Sequence, residues 1–166
     1  PNLREDMLEF RRMLEGQAAE WAAERATEAD LTRLDQAFET LNDAFTADDL
    51  ERRSSADIAF HQAVGEASHN ALVGHLSAAL LRLMHDNIRL NLGELKSIPA
   101  AGSLLMRQHA AIHTAIRERK PQAARAAAET HIDFVRETLA QSLRSAARRE
   151  TAARRLNTDF SPSTIS

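Results

Sequence analysis

The chain has 166 residues, enough for one domain with a core of its own, since a domain near this size buries roughly two-thirds of the surface its unfolded chain exposes. Apolar residues make up 43%, much of it alanine, while glycine (5), proline (4) and aromatics (4%) are scarce and tyrosine is absent; that balance suits close-packed helices, and an all-α fold is expected. Cysteine is absent, which excludes a disulfide framework and thiolate metal sites; no apolar run of about 18 residues offers a membrane span, and the start, Pro1 to Arg12, is too charged for a signal peptide. A net charge of −3 with interleaved signs gives no broad positive field for nucleic acid, so a soluble, cytoplasmic chain that binds DNA poorly by itself is expected.

Apolar spacing and start signals divide the chain into about six helices. The first is expected from Arg4 to Ala26, with Leu8, Met13, Leu14, Ala18, Trp21, Ala22 and Ala26 on its buried stripe. Thr27 reads as an N-cap with Asp30 as its capping-box partner, opening a second helix to Phe45 that buries Leu31, Leu34, Phe38, Leu41 and Phe45. Thr46 with Asp49 repeats that signal before a third helix, Ala47 to Ala67, which ends where Asn70 is expected to turn left-handed. A fourth follows from Ala71 to Leu92 on Leu72, Leu76, Leu80, Leu83, Met84 and Ile88, and breaks in a long loop from Gly93 to Gly102. Ser103 is expected to cap a fifth helix to Arg119. Pro121 then opens a long sixth reaching Arg155, with its missing N–H at a first-turn position. Residues 1–156 thus form one helical domain, an antiparallel bundle of about six to seven helices, and Asn157 to Ser166 read as a flexible tail.

Asp57 and His61 stand four apart on the third helix beside Phe60 and Val64, so both point inward. His109 is in phase with Leu105, Ile112 and Ile116, and His131 with Ala128, Phe134 and Val135. Burying these groups without partners is costly, whereas one divalent cation would satisfy all four. Nitrogen and oxygen donors suit a divalent transition metal, zinc foremost, with nickel, cobalt, manganese or iron also fitting. His113 stands one turn beyond His109, and spacing leaves open which of the two would be the ligand.

The run Phe10 to Glu15 followed by Ala22 to Thr27, then Asp57 to His61, Ala67 to Asn70, His109 to Ile112 and Ala124 to His131, resembles the FCD domain of the FadR subfamily of GntR-family bacterial transcription regulators, from about Leu8 to Leu143. The resemblance implies a metal held by Asp57, His61, His109 and His131, with His113 outside the ligand set. It also implies a small carboxylate or hydroxy-acid effector beside the metal, with Arg11 of the R-x-x-L-E pattern as carboxylate partner, a role that suits a guanidinium. Asn70 and Arg89 are further candidates for effector contacts. Members of that family act as dimers and carry a winged helix-turn-helix ahead of this domain, so DNA binding is expected only through an N-terminal domain that this chain does not contain.

Two other readings compete. A di-iron enzyme takes Glu-x-x-His from two helices, and Glu66-x-x-His69 is the single such pair, so no enzyme activity is expected. A metal-free dimerisation module is the alternative. The arginine-rich end of the last helix (Arg144, Arg148, Arg149, Arg154, Arg155) reads as solvated surface.

Overall fold

A computed structural model describes residues 3–159 apart from 48, 97 and 99. Those residues form seven helices: α1 (Leu3–Arg25), α2 (Glu28–Thr46), α3 (Leu50–Ala67), α4 (Ala71–Leu83), α5 (His85–Lys96), α6 (Ala101–Arg117) and α7 (Pro121–Asp159). No strand occurs among them. The ion pairs Glu5 with Arg136, Arg12 with Asp133 and Glu20 with Arg125 run in opposite order along α1 and α7, so this pair is antiparallel. Contacts of Asp30 with His69 and of Arg53 with the carbonyls of Ala44 and Phe45 set α2 against α3 in the same way.

Local chemistry places most helix starts. Thr27 accepts from the Asp30 amide at 3.2 Å while Asp30 Oδ2 accepts from the Thr27 amide at 2.8 Å, a complete capping box. Thr46 does not start α3. Its hydroxyl donates back to the Asp43 carbonyl and closes α2, and Asp49 caps α3 by accepting from the amides of Glu51 and Arg52, where its charge also complements the helix dipole. The left-handed residue after α3 is His69 (φ 49), held by Asp30 at 2.6 Å; Asn70 is thereby left free to cap α4.

Several boundaries differ from the sequence reading. The expected fourth helix is two, divided at Met84, where no glycine or proline marks the break. α4 buries Val73, Ser77 and Leu81, while Leu72, Leu76 and Leu83 are exposed; Met13 on α1 is exposed as well. The expected loop from Gly93 shrinks because α5 continues to Lys96, and Ser103 does not cap α6, since its hydroxyl donates to the carbonyl of the left-handed Ala100. At the far end α7 takes in residues 157–159, and the rest of the expected tail, 160–166, lies outside the described residues.

The core has two apolar clusters. One gathers Leu14, Ala18, Leu34, Phe60, Ile112 and Ala128; the other gathers Leu8, Leu81, Ile88, Leu105, Ile132 and Val135. The helices that cross from one cluster to the other carry polar residues between them: Arg11 on α1, Asp57 on α3, His109 on α6 and His131 on α7. The polar layer is therefore sandwiched by hydrocarbon.

Thr27→Ala is expected to lower stability by about 1 kcal/mol, the usual worth of an N-cap. Asp30→Ala should cost more, because Asp30 also holds His69 and Arg33. Urea midpoints of the two variants that match the parent would show that the box contributes nothing.

Candidate metal centre

Three helices bring four donor side chains together. Asp57 and His61 come from α3, His109 from α6 and His131 from α7, all buried, and one ligating atom of each lies within 4.8 Å of the others. His109 Nε2 is 3.1 Å from Asp57 Oδ1 and 3.3 Å from His61 Nε2. The His131 ring centroid lies 4.3 Å from that of His109 and 5.1 Å from that of His61. Phe60 packs edge-on against His61 and His109 and seals one side.

What touches each Nδ1 decides which nitrogen is offered to the centre. His109 Nδ1 donates to the Leu105 carbonyl at 2.9 Å, His61 Nδ1 stands 2.8 Å from Glu15 Oε2, and His131 Nδ1 lies 3.2 Å from Gln108 Oε1. An oxygen acceptor at Nδ1 keeps the imidazole proton there and leaves a lone pair on Nε2. His61 Nε2, His109 Nε2 and Asp57 Oδ1 are then three electron-pair donors turned on one another, an arrangement that repels unless a cation or an extra proton is shared. The donor set thus fits a divalent transition metal, and the acceptors behind the rings are those that orient histidine ligands.

Burial sets the protonation states. It pushes His131 well below its ordinary pKa, and nearby His109, His61 and Arg11 push the same way. It lowers His109 too, against the pull of Asp57. For Asp57 burial acts upward, but the hydrogen bond that His109 Nε2 donates when it carries an extra proton and the charges of His61, His109 and Arg11 prevail and hold it below the usual carboxylate range. Glu15 is also pushed up by burial, yet Arg11 and His61 outweigh this and keep it at about 2.

Arg11, 2% exposed, pairs through Nε with Glu15, and its Nη2 is buried without a hydrogen-bond partner. It lines a cavity of about 20 Å³, room for one water, together with Asp57, His131 and the apolar Ile88, Leu92, Leu105 and Val135. The structure therefore brings Arg11 together with the four donors. It does not bring Asn70 or Arg89 there: Asn70 Oδ1 accepts from the amides of Leu72 and Val73, and the exposed Arg89 stands 3.9 Å from Glu51 on the surface. His113 turns away from the cluster, bonding Asp35 at 2.7 Å and stacking on Phe38. Sequence reasoning passed over Glu15 and Gln108. Glu15 was detectable, since it lies one turn after the inward Arg11 on the same face.

The FCD domain matches residues 6–134. The chain belongs to the FCD domain family. This FCD domain is 31% identical over 137 residues to the Glc operon transcriptional activator of Escherichia coli strain K12, covering 81% of this chain and 54% of the activator. It is 35% identical over 134 residues to the galactonate operon transcriptional repressor of the same strain, covering 80% of this chain and 56% of the repressor. Among solved structures, Streptococcus agalactiae GntR superposes with a TM-score of 0.68 at 29% identity, covering 80% of this chain and 57% of that one. The chain thus spans somewhat over half the length of these proteins. Both curated relatives are named as transcription regulators, which agrees with reading this FCD domain as a regulatory and not an enzymatic unit.

Because His109 and His131 titrate lower when folded, the unfolded chain binds more protons than the folded one once the pH drops below the ordinary histidine value of 6.5. Glu15 and Asp57, also lowered, add the same effect below their ordinary 4.5 and 3.8. Stability of the metal-free domain is therefore full near neutrality and falls as the pH falls, first through the histidine window and then through the carboxylate window. Urea midpoints across this range are expected to decline, and less steeply through the histidine window in His131→Leu; identical slopes would remove His131 from the account.

Proposed function

We propose that this FCD domain is the effector-sensing and dimerisation domain of a GntR-family transcription regulator, working in the bacterial cytoplasm. It binds a small organic acid at a divalent metal and so modulates DNA binding by a domain outside this chain. The observation that carries the reading is the set of three buried histidines with Nδ1 engaged and Nε2 left for a shared cation beside Asp57. Asp57, His61, His109 and His131 would hold the ion, which supplies a Lewis-acid position open to a carboxylate.

The chain's own residues do the rest. Arg11 Nη2, buried and unengaged beside the cavity, offers the charge-assisted hydrogen bonds that a carboxylate takes. An acid larger than water exceeds the roughly 20 Å³ present, so its entry displaces α5, whose Ile88 and Leu92 form part of the wall. That displacement is the differential contact through which ligand shifts the domain between two arrangements. The name of the galactonate operon repressor supports a hydroxy acid as effector class. Asn70 and Arg89, away from the cavity, are not part of the proposed pocket.

Untagged protein purified without added metal is expected to carry about one equivalent of a transition metal by elemental analysis, lost in Asp57→Ala and His131→Ala. A hydroxy acid at roughly 100 times its Kd should then stabilise the loaded domain by about 2.7 kcal/mol, and Arg11→Ala should abolish that shift. No metal after incubation with Zn²⁺, Ni²⁺ and Mn²⁺ would leave a metal-free dimerisation module.

A further inference from the structure

Glu15 is a carboxylate in a position where a bundle core ordinarily holds an aliphatic side chain. It lies on α1, 5% exposed, one turn after Arg11 and between Leu14 and Gly16. Its two oxygens are divided between partners: Oε1 takes Arg11 Nε, and Oε2 stands 2.8 Å from His61 Nδ1. A buried ion pair is a poor device for stability alone, because apolar residues of the same volume pack as well without the desolvation. What Glu15 does provide is orientation. His109 and His131 rest on neutral acceptors, the Leu105 carbonyl and the Gln108 amide, whereas the oxygen 2.8 Å from His61 Nδ1 belongs to a carboxylate.

We propose that Glu15 is a positioning residue shared by the two halves of the site, holding the His61 ring with Nε2 turned to Asp57 and His109 while holding Arg11 with Nη2 left unengaged beside the cavity. This rests on reading the cluster as a divalent-cation site. A carboxylate oxygen 2.8 Å from Nδ1 favours the proton there and strengthens the donor nitrogen opposite, so metal affinity depends on Glu15 although it does not touch the ion. Glu15→Gln keeps the size of the side chain but replaces one acceptor oxygen with an N–H₂ group. Either Arg11 or His61 then faces a donor, and the shared hold is lost.

The full chain, stripped of metal and titrated with Co²⁺ against a competing chelator, tests this, with visible absorption of the bound Co²⁺ as the second readout. Wild type is expected to bind Co²⁺ in the visible-absorbing form. Glu15→Gln should bind at least tenfold more weakly, within the 10–100-fold range for loss of a group that orients a ligand, and with altered absorption bands. The double variant Arg11→Met with Glu15→Met removes both charges together and leaves no unpaired ion in the core; its Co²⁺ affinity should stay as weak. Wild-type affinity and spectrum in Glu15→Gln, or wild-type affinity in the double variant, would overturn the role of Glu15 while the cation site stands. Wild type that binds no Co²⁺ would overturn the cation reading itself, and the role of Glu15 with it.

Discussion

A layer of charge and imidazole enclosed by hydrocarbon is the constraint on which this domain depends. Two apolar clusters supply most of the burial, and between them lie Arg11, Glu15, Asp57, His61, His109 and His131, all nearly inaccessible to water. An isolated ion at that depth costs several kcal/mol after relaxation. The layer survives because the groups answer one another: Glu15 stands between a guanidinium and an imidazole, and Asp57 faces His109. Burial favours the neutral form of His109 and His131, which is the form a metal requires.

The helices are arranged to hold that layer from several sides. Surface ion pairs near the two ends of α1 join it to the first half of α7, and along that antiparallel pair Arg11 and His131 reach one cavity. α3 contributes two donors one turn apart, and α6 presents His109 with its backbone-held nitrogen turned outward from the cluster. The cavity wall also takes in Ile88 and Leu92 of α5, a short helix separated from α4 at Met84 and ending near the left-handed Ala100.

The four clustered donors and Arg11 meet at a single carboxylate. Glu15 touches both His61 and Arg11, so a change at either one is felt by the other through a single carboxylate. Binding at two places can be linked this way without a long pathway through the bundle.

The sequence by itself determined much of this. Helical periodicity, alanine richness and the capping box at Thr27 led to an all-helical chain, and phase along the helices pointed Asp57, His61, His109 and His131 inward. The break at Met84 was not legible, because no glycine or proline divides α4 from α5, and the buried face of α4 runs through Val73, Ser77 and Leu81, leaving Leu72, Leu76 and Leu83 exposed. Spacing could not choose between His109 and His113, since residues one turn apart share a face; only the tertiary partner decided, Asp35 of α2 drawing His113 aside while His109 met Asp57 and His61. The contacts of Glu15 with His61 and of Gln108 with His131 likewise join helices distant in sequence, and local spacing could show at most that Glu15 faces inward. Local spacing says which way a side chain faces, and only the packed fold says what it meets there.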